Sequence, residues 1–258
     1  MTQIITIANQ KGGVAKTTTA EALTSGLTLL GYSVLAIDAD QQGNFSYNMR
    51  SDPESLDLSD VLGSQASISE AIQHTERADL ISSGNLNTFN TNKNITPELL
   101  RNKLEEIKEN YDFIIIDTPP SLGIITINAL TASDFVIIPA QADIYSLQGI
   151  GQLYQTICAV KMSCNSNLHI LGILITRYNN HAVMNREARR QIIETAQAIN
   201  TKVFRSTIRE GVVIREAQAA RESIFNYANK SNPAVDYLDF IAEVLVDCEN
   251  LATLHAEG

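Results

Sequence analysis

Gln10-Lys11-Gly12-Gly13-Val14-Ala15-Lys16-Thr17-Thr18 is the stretch that decides the fold of this chain. It lies between an apolar run, Ile4 to Ala8, and an apolar-periodic run, Thr19 to Leu30, and this order predicts a strand, a tight turn and a helix start. Paired glycines adopt backbone angles closed to other residues, so successive N–H groups can converge on one anion beside the positive end of the helix dipole. Lys16 suits the β- and γ-phosphates, and the Thr17 hydroxyl suits Mg²⁺. The stretch therefore predicts a cradle for a nucleoside triphosphate.

The stretch differs from the general Walker A pattern, which has Gly where this chain has Gln10 and Ala15. A second lysine, Lys11, precedes the paired glycines instead. This variant resembles the deviant Walker A motif of the ParA/MinD class of P-loop ATPases. The alternative, a glycine turn beside two surface lysines, is disfavoured by the strand before it and the helix after it. We expect the methyl group of Ala15 to be tolerated only if the backbone there needs no positive φ.

Short, continuous apolar runs recur along the chain, and each predicts a strand that is covered on both faces. These runs are Ile4 to Ala8, Val34 to Asp38, Phe113 to Asp117, Phe135 to Ile138 and Ile170 to Ile175. Helical patterns lie between them, and they start at Thr96-Pro97 and Val183, with short helices expected at Asp60 to Gly63 and Ser67 to His74 and a loop at Ser82 to Asn94. We therefore expect an α/β fold of the P-loop NTPase kind, a mostly parallel twisted sheet flanked by helices on both faces. We also expect residues 1–258 to form a single ATPase domain without an N-terminal helix-turn-helix domain.

Two acidic motifs follow predicted strands, at the sheet edge where α/β folds bind their ligands. The first is Asp38-Ala39-Asp40-Gln41-Gln42-Gly43-Asn44, which resembles the DxDxQGN element of the same ATPases. The resemblance implies that Asp40 orients and activates water, and that Asp38 supports the metal. The second is Asp117 at the end of an apolar strand, the Walker B arrangement, in which the carboxylate holds the Mg²⁺ shell. Its continuation, Thr118-Pro119-Pro120-Ser121-Leu122-Gly123, resembles the partition ATPases in particular.

The resemblance implies ATP and Mg²⁺ as cofactors, and it implies roles for particular residues. The nucleotide-binding set is Lys11, Gly12, Gly13, Val14, Ala15, Lys16, Thr17 and Thr18, with Thr207 and Ile208 as candidate adenine contacts. The metal set is Thr17, Asp38, Asp40 and Asp117, and the catalytic set is Lys11, Lys16 and Asp40. Some relatives contact adenine through an Asn that precedes an Arg, but this chain has Thr176 before Arg177, so that contact is not carried over.

The charge of the chain is unevenly distributed. A formal net charge of −10 argues, taken alone, against a nucleic-acid partner. Residues 161–230 nevertheless contain eleven Lys and Arg against five Glu, a net +6, whereas the remainder has eight Lys and Arg against 24 acidic residues, a net −16. The basic segment favours a partner that carries phosphates. The predicted DNA contacts are Arg186, Arg189, Arg190, Arg209 and Arg215, of which Arg215 matches a family arginine implicated in DNA binding.

Free thiols are expected, because no CxxC spacing links the three cysteines, Cys158, Cys164 and Cys248.

The resemblance implies an ATPase for plasmid or chromosome partition. In such a protein ATP joins two subunits face to face, and Lys11 of each reaches the phosphates held by the other. The dimer then binds DNA nonspecifically, and a ParB-type centromere-binding partner stimulates hydrolysis. No run of ~18 apolar residues is present. We accordingly expect a cytoplasmic protein that is associated with the nucleoid when it holds ATP.

Two alternatives remain open. One is a MinD-like spatial regulator that does not bind DNA, and the other is a metabolic P-loop ATPase that acts on a small molecule. The last predicted helix follows Asn232-Pro233, with Val235, Leu238, Ile241 and Leu245 as its apolar face. It carries Asp236, Asp239, Glu243 and Asp247 and would be repelled by anionic lipid, unlike the basic membrane helix of MinD-type relatives. The basic segment at 161–230 disfavours the metabolic enzyme.

Overall fold

The computed structural model describes residues 2–90, 95–179 and 182–256. Within these ranges, eight strands form one sheet in the order β3-β4-β2-β5-β1-β6-β7-β8. They are β1 (Gln3–Ile7), β2 (Val34–Asp38), β3 (Gln73–His74), β4 (Asp79–Ile81), β5 (Phe113–Asp117), β6 (Phe135–Gln141), β7 (His169–Tyr178) and β8 (Val203–Arg209). Every pairing between these strands is parallel except that of β3 with β4. The predicted mostly parallel sheet is confirmed.

Ten α-helices occur in the described ranges. They are α1 (Lys16–Leu29), α2 (Asn44–Asn48), α3 (Leu58–Leu62), α4 (Leu99–Leu104), α5 (Ile124–Ala132), α6 (Ile144–Ser163), α7 (Val183–Ala198), α8 (Val212–Ala220), α9 (Ile224–Tyr227) and α10 (Asn232–Ala256). Short 3₁₀ turns lie at Ser69–Ala71, Leu86–Asn90 and Lys108–Asn110. None of the described helices offers an apolar stretch long enough to cross a bilayer. The three cysteines are free, as predicted.

The sheet is covered on both faces, which explains why its central strands are apolar without interruption. In β1, Ile5 and Ile7 pack in one cluster with Leu23 of α1 and Tyr237 of α10. Ile4, on the opposite face of the same strand, packs in a second cluster with residues of α3, α4 and α5. The two faces of β1 therefore carry separate helix layers, and the loop that follows β1 emerges between them.

Several predicted boundaries differ from the structure. The segment Ser67 to His74 was expected to be helical, but it forms a 3₁₀ turn and the edge strand β3. The helix expected from Pro97 begins at Leu99, because residues 97 and 98 form a turn. The expected loop at 82–94 contains a 3₁₀ turn at Leu86–Asn90, and its residues 91–94 lie outside the described residues.

The apolar face of α10 agrees only in part with the predicted one, since Ile241 is buried and Leu245 packs against the core. Val235 and Leu238 are each 42% exposed, whereas Tyr237, Phe240 and Val244 are fully buried. Both stripes have helical spacing, but the buried one carries the aromatic side chains, which remove more area from water. Three acidic residues of α10, Asp236, Glu243 and Asp247, lie against β8 and the residue before it.

Candidate active site

A cleft of about 560 Å³ opens at the carboxyl ends of the central strands. One wall is the glycine turn after β1 together with the start of α1, and the opposite wall is the segment that joins β8 to α8. The lining residues from the turn are Gly12, Gly13, Ala15, Lys16, Thr17 and Thr18, and those from other elements are Asp40, Asn44, Pro120, Arg177, Glu210, Gly211, Val212, Ile214, Arg215 and Gln218. The predicted cradle and the catalytic candidate Asp40 therefore share one cavity.

The backbone of the turn is held from behind by two other strands. Gly13 has φ +75°, and Ala15 has φ +67°, so both residues are left-handed. The backbone at Ala15 therefore needs the positive φ that we expected an alanine to avoid. The Gly13 carbonyl accepts a hydrogen bond from Gln141 Nε2 at 2.7 Å, and the Val14 carbonyl accepts one from Thr176 Oγ1 at 3.0 Å. Because these carbonyls point away from the cleft, the N–H groups of the same peptides point toward it.

Lys16 lies at the first turn of α1 and is buried. Its Nζ donates to the Lys11 carbonyl at 3.3 Å, which directs the ammonium group across the turn. Burial lowers the pKa of Lys16, and the carboxylates of Asp117 and Asp40 oppose that change. A phosphate in the cleft would compensate for the same desolvation, because it would return a negative charge to the ammonium group.

The two carboxylates at the strand ends, those of Asp38 and Asp117, are fully buried but differ in their hydrogen bonds. Asp117 Oδ2 accepts the Thr17 hydroxyl at 2.6 Å, while Asp117 Oδ1 is buried without a partner. Burial raises the pKa of Asp117 well above its usual range, and the nearby Asp38 raises it further. A bound cation would supply the partner that this buried carboxylate oxygen lacks, and the threonine hydroxyl beside it would be a second ligand. The residues present therefore fit Mg²⁺ at this position.

Asp38 and Asp40 have different surroundings. Asp38 accepts hydrogen bonds from the Asp40 N–H at 3.1 Å, the Ser46 N–H at 2.8 Å and the Ser46 hydroxyl at 2.7 Å. It is not part of the cleft lining, so its geometry suits holding the loop rather than ligating a metal. Asp40 lines the cleft and accepts only the Gln42 N–H at 3.1 Å among the described residues. Of the two, Asp40 is placed to contact a water in the cleft.

The metal would not be held by side chains alone. Among the described residues, no group of three or more His, Cys, Asp and Glu side chains is arranged to hold a metal ion. Mg²⁺ usually takes one or two protein ligands and completes its shell with phosphates and water. Thr17 and Asp117 meet that requirement when a nucleotide supplies the remaining oxygens.

Lys11 lies outside the cleft lining. Its Nζ forms an ion pair with Asp143 Oδ2, and Ser146 Oγ is 3.4 Å away. Asp143 is also the N-cap of α6, because its Oδ1 accepts the Ser146 N–H at 2.9 Å. Burial alone would raise the pKa of Asp143, but hydrogen bonds from Lys11 and Ser146 hold it below its usual range. The side chain of the second lysine of the motif is thus directed toward α6 and does not line the cleft of its own chain.

The candidate adenine contacts do not line the cleft. Thr207 and Ile208 lie on β8, and the Ile208 side chain is buried in the core, so it is unavailable to a base. The wall opposite the glycine turn contains Arg177 and Glu210 instead, which form an ion pair at 2.8 Å. The sequence did not predict this pair, because Arg177 lies near the end of β7 and Glu210 directly after β8, and no local pattern signals that they meet.

Two of the predicted DNA contacts already have acidic partners. Arg190 pairs with Glu187 at 2.8 Å and with Glu194 at 3.9 Å on its own helix. Arg209 binds Asp236 through both Nε and Nη2, with a shortest distance of 2.6 Å. The geometry revises the DNA prediction for Arg209, because its guanidinium group joins β8 to α10.

The other predicted DNA contacts lie on two helices. Arg186 and Arg189 are on α7, and Arg215 is on α8. Within the described ranges, no ion pair engages Arg189 or Arg215. Arg215 also lines the nucleotide cleft, so this one side chain lies where the cavity meets the outer surface.

Comparison with known proteins gives consistent results. A family model described as "AAA domain" matches residues 2–170. The sporulation initiation inhibitor protein Soj of Bacillus subtilis (strain 168) is 37% identical over 95% of this chain and 98% of its own length. The chromosome partitioning protein ParA of Caulobacter vibrioides (strain NA1000 / CB15N) is 34% identical, with 94% of each chain covered. A crystal structure of cobyrinic acid a,c-diamide synthase from Mycobacterium smegmatis with bound ADP and magnesium superposes with a TM-score of 0.81 at 29% identity, covering 95% of this chain and 94% of that one.

Proposed function

Because this chain belongs to the ParA/Soj-type P-loop ATPases, we propose that it is a DNA-partition ATPase whose ATP-bound dimer binds DNA without sequence preference. The chain is an ATPase that uses ATP and Mg²⁺. The observation that carries the proposal is the separation of its two motif lysines. Lys16 lies inside the cleft, while Lys11 lies outside it.

We assign the roles within one subunit from the contacts of each side chain. Lys16 binds the β- and γ-phosphates, since its ammonium group is buried in the cleft beside two carboxylates. Thr17 and Asp117 hold Mg²⁺, which supplies charge neutralisation at the phosphates when bound. Asp40 orients the attacking water. Asp38 fixes the loop that carries Asp40, because it accepts the Asp40 N–H.

Lys11 is proposed to act across a dimer. A lysine outside its own cleft can neutralise charge on the phosphates of a facing subunit, much as an arginine finger does, through electrostatics placed in advance. To do so, its ammonium group must leave Asp143. Both side chains of this pair remain partly exposed, at 24% and 34%. Ion pairs that solvent can reach are worth only about 0–1 kcal/mol, so phosphate oxygens can displace this one. Dimerisation would then depend on ATP.

DNA binding is proposed for the outer surface of α7 and α8, with Arg189 and Arg215 as its principal cations. Two subunits would present twice the number of phosphate contacts, and each neutralised phosphate adds about −0.9 to the slope of log affinity against log salt. A protein with a net charge of −10 can in this way bind DNA in the dimer and release it as a monomer. Because contacts to phosphate carry no base information, such binding is sequence-independent.

The remaining parts of the proposal concern partners and organisation. We propose that a ParB-type centromere-binding protein stimulates hydrolysis, and that ADP formation separates the subunits and releases the DNA. We also propose that residues 1–258 act as one ATPase domain. A slow intrinsic rate would suit this cycle, since the partner then determines when DNA is released.

The test is binding of a random-sequence DNA duplex, followed by fluorescence anisotropy with ATP, with ADP and without nucleotide, at two salt concentrations. We expect binding only with ATP, weakened by salt. Arg215→Glu should lose DNA binding, whereas Lys103→Glu, which makes the same charge change on α4, should keep it. Because Arg215 lines the cleft, the ATP affinity of Arg215→Glu is measured alongside, and Arg189→Glu provides a DNA variant outside the cleft. Absence of DNA binding by the wild type in every nucleotide state would contradict the proposal.

A metabolic ATPase is the second candidate, favoured by the structural likeness to cobyrinic acid a,c-diamide synthase. The same measurement separates the two functions. A metabolic enzyme should bind ATP and Mg²⁺ but no DNA, and its hydrolysis should respond to a small-molecule acceptor rather than to a DNA-bound partner.

A further inference from the structure

One threonine outside the nucleotide motif contacts the cradle from behind. Thr176, near the end of β7, is fully buried, and its hydroxyl is 3.0 Å from the Val14 carbonyl oxygen. A second acceptor, the Ala140 carbonyl at the end of β6, is 3.4 Å away. Since a hydroxyl has a single proton to donate, the shorter contact carries the hydrogen bond. This bond joins the sheet directly to the peptide between Val14 and Ala15.

That peptide precedes the strained residue of the cradle. Ala15 has φ +67° and ψ +34°, a left-handed conformation that glycine adopts freely but an alanine seldom does. Such strain persists only where the surrounding structure fixes it. The peptide after Ala15 is also fixed, because its carbonyl accepts the Thr19 N–H at 2.9 Å in the first turn of α1. Ala15 is therefore held between a bond to β7 on one side and the helix on the other.

The orientation of the first peptide has a direct consequence for ligand binding. In a trans peptide the C=O and N–H groups point in opposite directions. With the Val14 carbonyl drawn back toward Thr176, the Ala15 N–H points forward to the cleft, which Ala15 and Lys16 line. If Ala15 relaxed to a right-handed conformation, this N–H would rotate away and the ring of converging donors would open.

We propose that Thr176 is a positioning residue of the ATP site, which keeps Ala15 left-handed and its N–H directed at the phosphates. The sequence position supports this assignment, because the general motif has Gly where this chain has Ala15. A glycine there would need no restraint, whereas the alanine does. Thr176 and Ala15 are therefore energetically coupled, although they lie 161 residues apart in the sequence and share no motif.

The test is a double-mutant cycle on the full-length chain. Wild type, Thr176→Val, Ala15→Gly and the double variant are titrated with a fluorescent ATP analogue and Mg²⁺. Thr176→Val removes the hydroxyl at nearly constant volume and should weaken binding about tenfold, the scale of one lost buried hydrogen bond. In the Ala15→Gly background the same change should cost about threefold or less, because glycine holds the conformation without help. Thr176→Ser, which keeps the hydroxyl, should bind within about twofold of wild type.

An equal loss in both backgrounds would overturn the proposal, as would a Thr176→Val variant with wild-type affinity. Circular dichroism establishes that each variant is folded, and Thr176→Ala replaces Thr176→Val if the latter is not. The inference rests on ATP binding but on neither dimerisation nor DNA. Binding by wild type, and its loss in Lys16→Ala, therefore separate failure of this inference from failure of the ATP site itself.

Discussion

The carboxyl groups of Asp38 and Asp117 are both buried at strand ends, yet their hydrogen bonds suit one to hold the backbone and the other to bind a cation. Asp38 receives one hydrogen bond from the loop that follows it and two from Ser46 of α2, whereas Asp117 receives one and keeps an oxygen without a partner. A satisfied buried carboxylate fixes the backbone that satisfies it. An incompletely satisfied one retains capacity for a cation. We therefore propose that Asp117 carries the metal function and that Asp38 shapes the position of Asp40.

Asp38 should make stability depend on pH. Burial raises its pKa to about 6, and hydrogen bonds from Ser46 and Asp40 limit the change. An unfolded Asp has a pKa of about 3.9, so between about pH 4 and 6 the folded state holds a proton that the unfolded chain has lost. The contribution of Asp38 to the free energy of unfolding therefore falls as the pH rises through this range and is constant above it. Urea unfolding of wild type and Asp38→Asn at several pH values measures this.

Asp38→Asn lacks the titrating group, so wild type should lose stability relative to the variant as the pH rises from about 4 to 6. Parallel pH profiles for the two proteins would contradict the prediction. Both are measured without nucleotide and with EDTA present, so that no cation alters the charge balance beside Asp117.

At the residue scale, local motifs were predictable and distant contacts were not. Lys16, Thr17 and Asp117 converge as the spacing and resemblance predicted, because each sits at the start of a helix or the end of a buried strand. Gln141, Asp143 and Thr176 touch the same turn from more than a hundred residues away. No local periodicity signals such a contact. The positive φ of Ala15 could likewise not be predicted from the sequence, because it depends on those distant contacts.

Helix α10 and strand β8 pack through an apolar side, where the Phe204 and Phe240 rings meet edge to face at 4.9 Å, and through a polar side. Glu243 accepts the N–H groups of Arg205 and Ser206 at 2.9 and 2.7 Å, and also the Ser206 hydroxyl at 2.7 Å. Asp236 accepts the Arg209 N–H at 2.9 Å in addition to its guanidinium group. The acidic side of the last helix therefore satisfies the outer N–H groups of the terminal strand, which β7 does not reach.

Glu243→Gln should lower the free energy of unfolding by roughly 1.5–3 kcal/mol, because the backbone donors lose a charged acceptor. Urea denaturation followed by circular dichroism gives the difference. Asp239→Asn, an exposed acid on the same helix, is the matched control and should change stability by less than about 0.5 kcal/mol. Equal effects of the two substitutions would show that α10 contributes only general charge.

Strands were predictable from the sequence where every residue of the strand is buried. The boundaries of β2 and β5 match the prediction, because both strands are apolar and buried along their whole length. Strands β4 and β8 were missed, since β4 has three residues and β8 carries two arginines that face outward. Strand β8 lies at the edge of the sheet, so its arginines can face solvent. Side chains of α10, instead of another strand, accept the hydrogen bonds of its outer N–H groups.

At the scale of the whole molecule, the Lys11–Asp143 ion pair opposes formation of the proposed dimer. Each subunit must break this pair before Lys11 can reach a facing nucleotide. Asp143→Asn keeps the N-cap of α6, since Asn caps as well as Asp, but removes the charge. Two partly exposed pairs worth up to about 1 kcal/mol each are then absent, so ATP-dependent dimerisation should tighten by up to about thirtyfold.

Analytical ultracentrifugation with ATP and Mg²⁺ measures the dimer dissociation constant of wild type and variant. Asp239→Asn removes an equal charge on α10 and should leave it unchanged. Weaker dimerisation of Asp143→Asn would mean that the carboxylate acts within the dimer interface instead of competing with it. This prediction rests on the proposed function, and a wild type that stays monomeric with ATP would contradict the dimer itself.

The covered edge at β8 restricts how copies of this protein can polymerise. A filament that grows by strand addition needs free backbone donors at a sheet edge. Here Glu243 and Asp236 occupy the donors of Arg205, Ser206 and Arg209, so growth through this edge is blocked. Assembly of dimers through the β8 side must therefore use side-chain surfaces in place of strand pairing.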